Sequence, residues 1–178
     1  MADIICSGFG GQGVLTAGLI LAKVAMDEGR EVTWVPSYGS EMRGGTANCS
    51  VKFDDQPIAS PFIKNIDLLV AFNDPSVDKF ESRVRPGGMM IVNTSIVDPD
   101  RKFRDDIKVI PVKAGDLAEA VENPRGVNIV MIGAALGGSG YFPKEKVLAG
   151  LEAFFSEKGK NNPKNAPALE KGWQAAST

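Results

Sequence analysis

The chain is 178 residues long, carries 20 Lys+Arg against 22 Asp+Glu for a net charge of −2, and is 43% hydrophobic. That balance argues against a broad electrostatic footprint for nucleic acid or anionic lipid. With 2 cysteines and no histidine, the sequence excludes a disulfide framework, an iron–sulfur cluster held by this chain alone, and every Ser-His, Cys-His or His-metal mechanism within it.

The length predicts one domain. Met1-Ala2-Asp3 lacks the basic start of a signal peptide, and no window approaches the ~18 uninterrupted apolar residues of a membrane span. The expectation is a cytoplasmic protein with no membrane or nucleic-acid partner. Ile4-Ile5-Cys6-Ser7 reads as a short buried strand that ends in Gly8-Phe9-Gly10-Gly11-Gln12-Gly13. Val14 to Glu28 is apolar nearly all round, with Thr16, Lys23 and Asp27 on one narrow polar stripe, and predicts a buried helix closed by a left-handed Gly29. Glu31 to Val35 is a second strand. Strand, glycine turn, helix, strand is the opening unit of a doubly wound sheet.

An irregular stretch follows, Ser37 to Thr46. Cys49, Val51 and Phe53 then alternate with polar residues as on a half-buried strand, and Ile58-Ala59 is read as its hairpin partner across Asp54-Asp55-Gln56-Pro57. Asp67 to Phe72 predicts a strand, Pro75 to Val84 a short helix, and Pro86-Gly87-Gly88 a turn into a strand at Met89–Asn93. Lys108 to Val112 is the last strand and Gly115 to Glu122 a helix. Asn128 to Leu136, apolar on every side, is read as a packed helix. Val147, Leu148, Leu151, Phe154 and Phe155 make a helical stripe, with Pro143 at its first position and Gly159 past its end. The expected fold is a Rossmann-like, mostly parallel α/β sheet with helices on both faces, a single domain over residues 1–159. Residues 160–178 form a C-terminal appendage, either a short docked helix or a segment ordered by a partner.

Four polar segments follow strands and so belong on one rim: Gly8–Gly13, Ser37–Thr46, Asn73–Ser76 and Asn93–Ser95. The first is a G-x-G-x-x-G match between strand and helix, where Gly8, Gly10, Gly11, Gln12 and Gly13 let backbone approach an anion at a helix N-terminus. A tight crossover that binds nothing is the plainer alternative. A dinucleotide site also needs an acid at the end of the second strand; Trp34-Val35-Pro36-Ser37 has none, and Glu41 comes too late. The second segment gathers Tyr38, Glu41, Arg43, Gly44 and Gly45, with Arg43 able to fork onto a phosphate or carboxylate. It is read as a ligand or subunit contact. Cys6 and Cys49 are core thiols, Asn73-Asp74-Pro75 is a helix cap, and no metal site or catalytic side chain is assigned.

Gly8-Phe9-Gly10-Gly11-Gln12-Gly13-Val14 after an N-terminal strand resembles the opening of the gamma subunit of 2-oxoacid:ferredoxin oxidoreductases. Ser37-Tyr38-Gly39-Ser40-Glu41-Met42-Arg43-Gly44-Gly45-Thr46-Ala47-Asn48 resembles that family's second signature, although Ser40 stands where many relatives have proline. Pro86-Gly87-Gly88, Asn128 to Leu136 and Asn165 to Gly172 extend the resemblance over nearly the whole chain, with 2-oxoglutarate ferredoxin oxidoreductase the most similar member. The resemblance implies oxidative decarboxylation of a 2-oxoacid with coenzyme A to acyl-CoA, carbon dioxide and reduced ferredoxin. It implies thiamine diphosphate and iron–sulfur clusters in alpha, beta and ferredoxin-like delta subunits, none held by this chain, and coenzyme A contact near the two glycine-rich segments. The chain alone is then expected to be inactive and to self-associate. A free-standing flavin or NAD protein, and a purely structural module, are the other readings.

Overall fold

The computed structural model describes residues 1–39 and 45–177. Among them the chain forms one sheet of six strands: β1 (Ala2–Phe9), β2 (Glu31–Tyr38), β3 (Thr46–Asp54), β4 (Ile66–Ala71), β5 (Val84–Asn93) and β6 (Lys108–Val112). The helices are α1 (Val14–Asp27), α2 (Asp74–Phe80), α3 (Ala114–Ala120), α4 (Val127–Ser139), α5 (Lys144–Ser156) and α6 (Asn165–Ala176), with 3₁₀ turns at Glu81–Arg83 and Pro124–Gly126. Strand order is β2-β3-β1-β4-β5-β6. β1, β4, β5 and β6 pair in parallel, whereas β3 lies antiparallel to both β1 and β2. The mostly parallel α/β sheet expected from the sequence is therefore present, with one reversed strand inside it.

Alternation along each strand divides the interior in two. Ile4 and Cys6, Cys49 and Val51, Leu68 and Val70, Ile91, and Ile110 point to one face and bury against α1, α3, α4, α5 and α6. Ile5, Leu69, Ala71, Met90 and Val92 point to the other and meet Val77 and Phe80 of α2 together with Ile63, Val97 and Ile107 from loops. Helices thus lie on both faces, unequally. β4 is apolar on both sides and fully buried from Leu68 to Ala71, as a central parallel strand must be.

The structure corrects several boundaries. β2 runs on through Tyr38 because Pro36 and Tyr38 find register partners in Cys49 and Ala47 of β3, so Ser37 and Tyr38 are strand and not loop. Ile58-Ala59 forms no strand: β3 already has β1 and β2 on its two sides, and the segment instead presents the Ser60 and Phe62 carbonyls to Lys52 Nζ, each at 3.1 Å. β5 begins at Val84 and takes in Pro86-Gly87-Gly88, where a turn was expected. The proline is tolerated because pairing with β6 begins only at Met89, and the Gly87 N–H donates to Asp106 O at 2.7 Å. Pro143 caps α5 from outside, and Glu122 ends α3 with φ 56.

Residues 165–176 form α6, lying along α4 with Ala168 and Leu169 fully buried. The approach is close. A Cβ on Gly172 would sit 1.9 Å from Val130 O, and one on Gly133 would sit 2.1 Å from Leu169 O.

Candidate functional site

Because β1, β2, β4 and β5 share a direction, their carboxyl ends do form one rim, and the segments after them meet there. At its centre the chain leaves β1 for α1 on one face, and the neighbouring β4 for α2 on the other, which makes this gap the switch point of the sheet. Gln12 fills it. Its side-chain Oε1 accepts from Phe9 N at 2.6 Å and from Asn73 Nδ2 at 3.3 Å. Asn73 in turn caps α2, its Oδ1 accepting from Ser76 N at 3.0 Å and Ser76 Oγ at 2.6 Å, as the sequence predicted.

Only glycine fits at position 8, where a Cβ would meet Gln12 Oε1 at 2.6 Å and Val14 and Phe72 side chains within 2.8 Å. Gly13 adopts φ 75, and a Cβ there would strike the Asn128 amide at 2.7 Å. These two glycines thread the backbone between Gln12 and Asn128. Gly8 and Gln12 shape the loop from beneath and are absent from the lining of the cleft that opens above it.

That cleft has a volume of 290 Å³ and is lined by Gly10, Gly11 and Gly13, the first turn of α1 from Val14 to Thr16, and Tyr38 and Ala47 across the gap. The sequence-predicted residues Gly10, Gly11, Gly13 and Tyr38 are thus brought together; Tyr38 is 52% exposed. Glu41, Arg43 and Gly44 lie outside the described residues, although their neighbour Gly45 O accepts from Gly10 N at 2.8 Å, tying the two glycine-rich segments to each other. The amides of Phe9, Gly10 and Gln12 are used within the loop. Those of Val14, Leu15 and Thr16 have no acceptor within the helix, by the geometry of any helix start. α1 has no side-chain cap and no acid in its first turn, so its positive end faces the cleft uncompensated, which favours an anion by about 0.3–1 kcal/mol.

Sequence reasoning passed over Thr16 and Asn128. Thr16 had been read as part of a solvated stripe, but it lines the cleft. Asn128 is buried and its Nδ2 donates to Gly13 O at 3.3 Å. A lone amide opening an otherwise wholly apolar helix was the available signal.

Cys6 and Cys49 are register partners on β1 and β3, both fully buried. The hydrogen bond they share, together with burial, pushes the Cys6 thiol well above its ordinary range, so it stays protonated and inert. Cys49 Sγ lies 3.6 Å from Val14 O. No three His, Cys, Asp or Glu side chains cluster as a metal site among the described residues. Two thiols hydrogen-bonded in the core do not fit an iron–sulfur cluster, which takes four ligands.

The model of the family described as pyruvate ferredoxin/flavodoxin oxidoreductase matches residues 3–175. The chain belongs to that family. Among relatives within it, the ketoisovalerate oxidoreductase subunit VorA of Methanothermobacter marburgensis is 40% identical over 93% of this chain and 34% of its own length. The 2-oxoglutarate synthase subunit KorC of Methanocaldococcus jannaschii is 31% identical over 98% of this chain and 93% of its own. The chain therefore spans about a third of VorA and nearly all of KorC. In three dimensions it is similar to the gamma subunit of a keto/oxoacid ferredoxin oxidoreductase from Geobacter sulfurreducens, with TM-score 0.80, 25% identity, and 99% and 98% of the two chains covered. The same fold recurs in a 2-oxoglutarate:ferredoxin oxidoreductase from Magnetococcus marinus, with TM-score 0.86, 22% identity, and 98% of this chain and 31% of that one covered. Among the described residues no helix is long and apolar enough to cross a membrane.

Proposed function

We propose that this chain is the gamma subunit of a 2-oxoacid:ferredoxin oxidoreductase, working with alpha, beta and ferredoxin-like delta subunits that carry thiamine diphosphate and the iron–sulfur clusters. The assembly converts a 2-oxoacid and coenzyme A to an acyl-CoA and carbon dioxide, and the electrons go to ferredoxin. This chain supplies no catalytic residue. Its part is to hold the phosphates of coenzyme A at the first turn of α1, with Gly10, Gly11, Gly13 and Tyr38 as the surrounding wall, and with Glu41, Arg43 and Gly44 as further contacts from the sequence signature.

The observation that carries this reading is the uncapped start of α1, free of acidic residues, opening onto a cleft of backbone amides. The Magnetococcus marinus enzyme that shares the fold is described with coenzyme A and succinyl-CoA bound. The substrate we propose is 2-oxoglutarate, in line with the KorC relatives. Ketoisovalerate is the second reading, favoured by the 40% identity to VorA.

Calorimetric titration of coenzyme A into the assembled protein tests the cofactor contact. Thr16→Glu places a carboxylate at a helix position that welcomes one, so the fold should persist while coenzyme A binding weakens at least tenfold. Unchanged affinity would remove the assignment. Turnover with each 2-oxoacid in turn decides the substrate, and turnover by the isolated chain would refute the division of labour.

A further inference from the structure

A second opening, also 290 Å³, lies beside the first, where the start of α4, the Pro124–Gly126 turn and the α5–α6 connection converge. Thr16 lines both openings, and Asn128 reaches from this one to the carbonyl of Gly13. The two therefore form a continuous rim around the N-terminus of α1.

Its chemistry differs from that of the first. Asn123, Asn128 and Asn165 are each more than nine-tenths buried and line it. Asn123 Nδ2 donates to Asn165 Oδ1 at 3.1 Å, and Asn123 Oδ1 accepts from Asn162 Nδ2 at 3.3 Å, so the amides hold one another in fixed orientations. The Nδ2 of Asn165 has no acceptor among the described residues. Two cations, Arg125 and Lys160, stand at the mouth; neither is ion-paired among the described residues, and no carboxylate lines the opening. Nearby cations behave otherwise: Lys164 is paired with Glu122 and Lys144 with Glu170. The chain holds Glu122 in the left-handed region immediately before Asn123, a conformation that costs about 1–2 kcal/mol for a residue with a Cβ.

We propose that this asparagine-lined cleft is a phosphate-monoester subsite, in which Arg125 and Lys160 neutralise the dianion and Asn165 donates to it. A phosphate monoester carries about −1.5 to −2 charge at pH 7, which two unpaired cations match. The subsite takes the far end of a ligand whose diphosphate lies on the first turn of α1. The inference rests on the coenzyme A reading above, since coenzyme A bears such a monoester on its ribose.

The experiment compares coenzyme A with dephospho-coenzyme A, which lacks only that group, by calorimetry on the assembled protein. Wild type should prefer coenzyme A by about tenfold. The double variant Arg125→Ala/Lys160→Ala, altered only at exposed positions, should bind coenzyme A about tenfold more weakly and dephospho-coenzyme A as before. Arg125→Lys should restore most of the preference. A double variant that still prefers coenzyme A, or that loses both ligands equally, overturns the subsite and leaves the coenzyme A reading standing. A wild type that binds neither ligand overturns both.

Discussion

The two faces of the sheet are unlike. One carries five of the six described helices, and its core runs without interruption from Ile4 to Leu169. The other carries α2 alone, with loops over its β4–β5 half. Over the β1–β2–β3 half, the second face presents Thr33, Val35, Ser37, Asn48, Ser50, Lys52 and Asp3, mostly polar residues at strand alternation. Coverage is thus written into the pattern of each strand: β4 is apolar on both sides, whereas β3 alternates. The thick face draws its hold from helices in backbone contact, and the thin face from one buried ion pair and a short helix.

The largest expected effect tests the thick face. Gly172→Ala sets a Cβ where Val130 O now lies 1.9 Å away, and both neighbours are backbone. α4 and α6 must then separate, and we expect a loss of about 3 kcal/mol or more in denaturant unfolding. A loss under about 1 kcal/mol would mean that the helices slide freely, and the contrast between faces would fall.

Next comes the thin face. Lys52 Nζ lies 3.5 Å from Asp3 Oδ1, with both side chains mostly buried. Lys52→Met leaves that carboxylate uncompensated and should cost about 3 kcal/mol at pH 7. Burial already holds the Asp3 carboxyl above its ordinary 3.8, against the opposing pull of Lys52. The folded chain therefore binds that proton more tightly than the unfolded one, and stability is withdrawn as pH rises through the window above 3.8. Without Lys52 the carboxyl rises further, so the deficit of the variant should be greatest at neutral pH and shrink as Asp3 protonates. A deficit independent of pH would assign the loss to packing of the lysine stem.

The smallest effect is a gain. Glu122→Gly relieves the left-handed residue at the end of α3 and gives up an exposed pair with Lys164, for a net stabilisation of about 0.5–1 kcal/mol. No gain would show that the turn before Asn123 stores no strain.

Much of this architecture was legible in the residues. The run Ile4–Ser7, the all-apolar Val14–Glu28 and the Asn73 cap announced their elements, because each depends on neighbours along the chain. What escaped depended on partners remote in sequence. The reversal of β3 follows from pairing with β1 and β2, and Pro86-Gly87-Gly88 became strand because β6 starts late beside it. Within the site, the glycine loop was readable as a motif. The role of Gln12 was not, since it turns on Asn73, and Thr16 looked like any solvated threonine until the cleft beside it was formed.

The Gln12 side chain carries one more implication. In sheets of this design the gap at the switch point is where a nicotinamide or flavin nucleotide is ordinarily seated, and here a single carboxamide bolts it shut from both sides. The berth of an ancient hydride carrier has become a structural joint, and whatever this chain holds must moor along its flank. A redox assembly using such a piece is insulated, at this seat, from the cell's common currency of pyridine nucleotides.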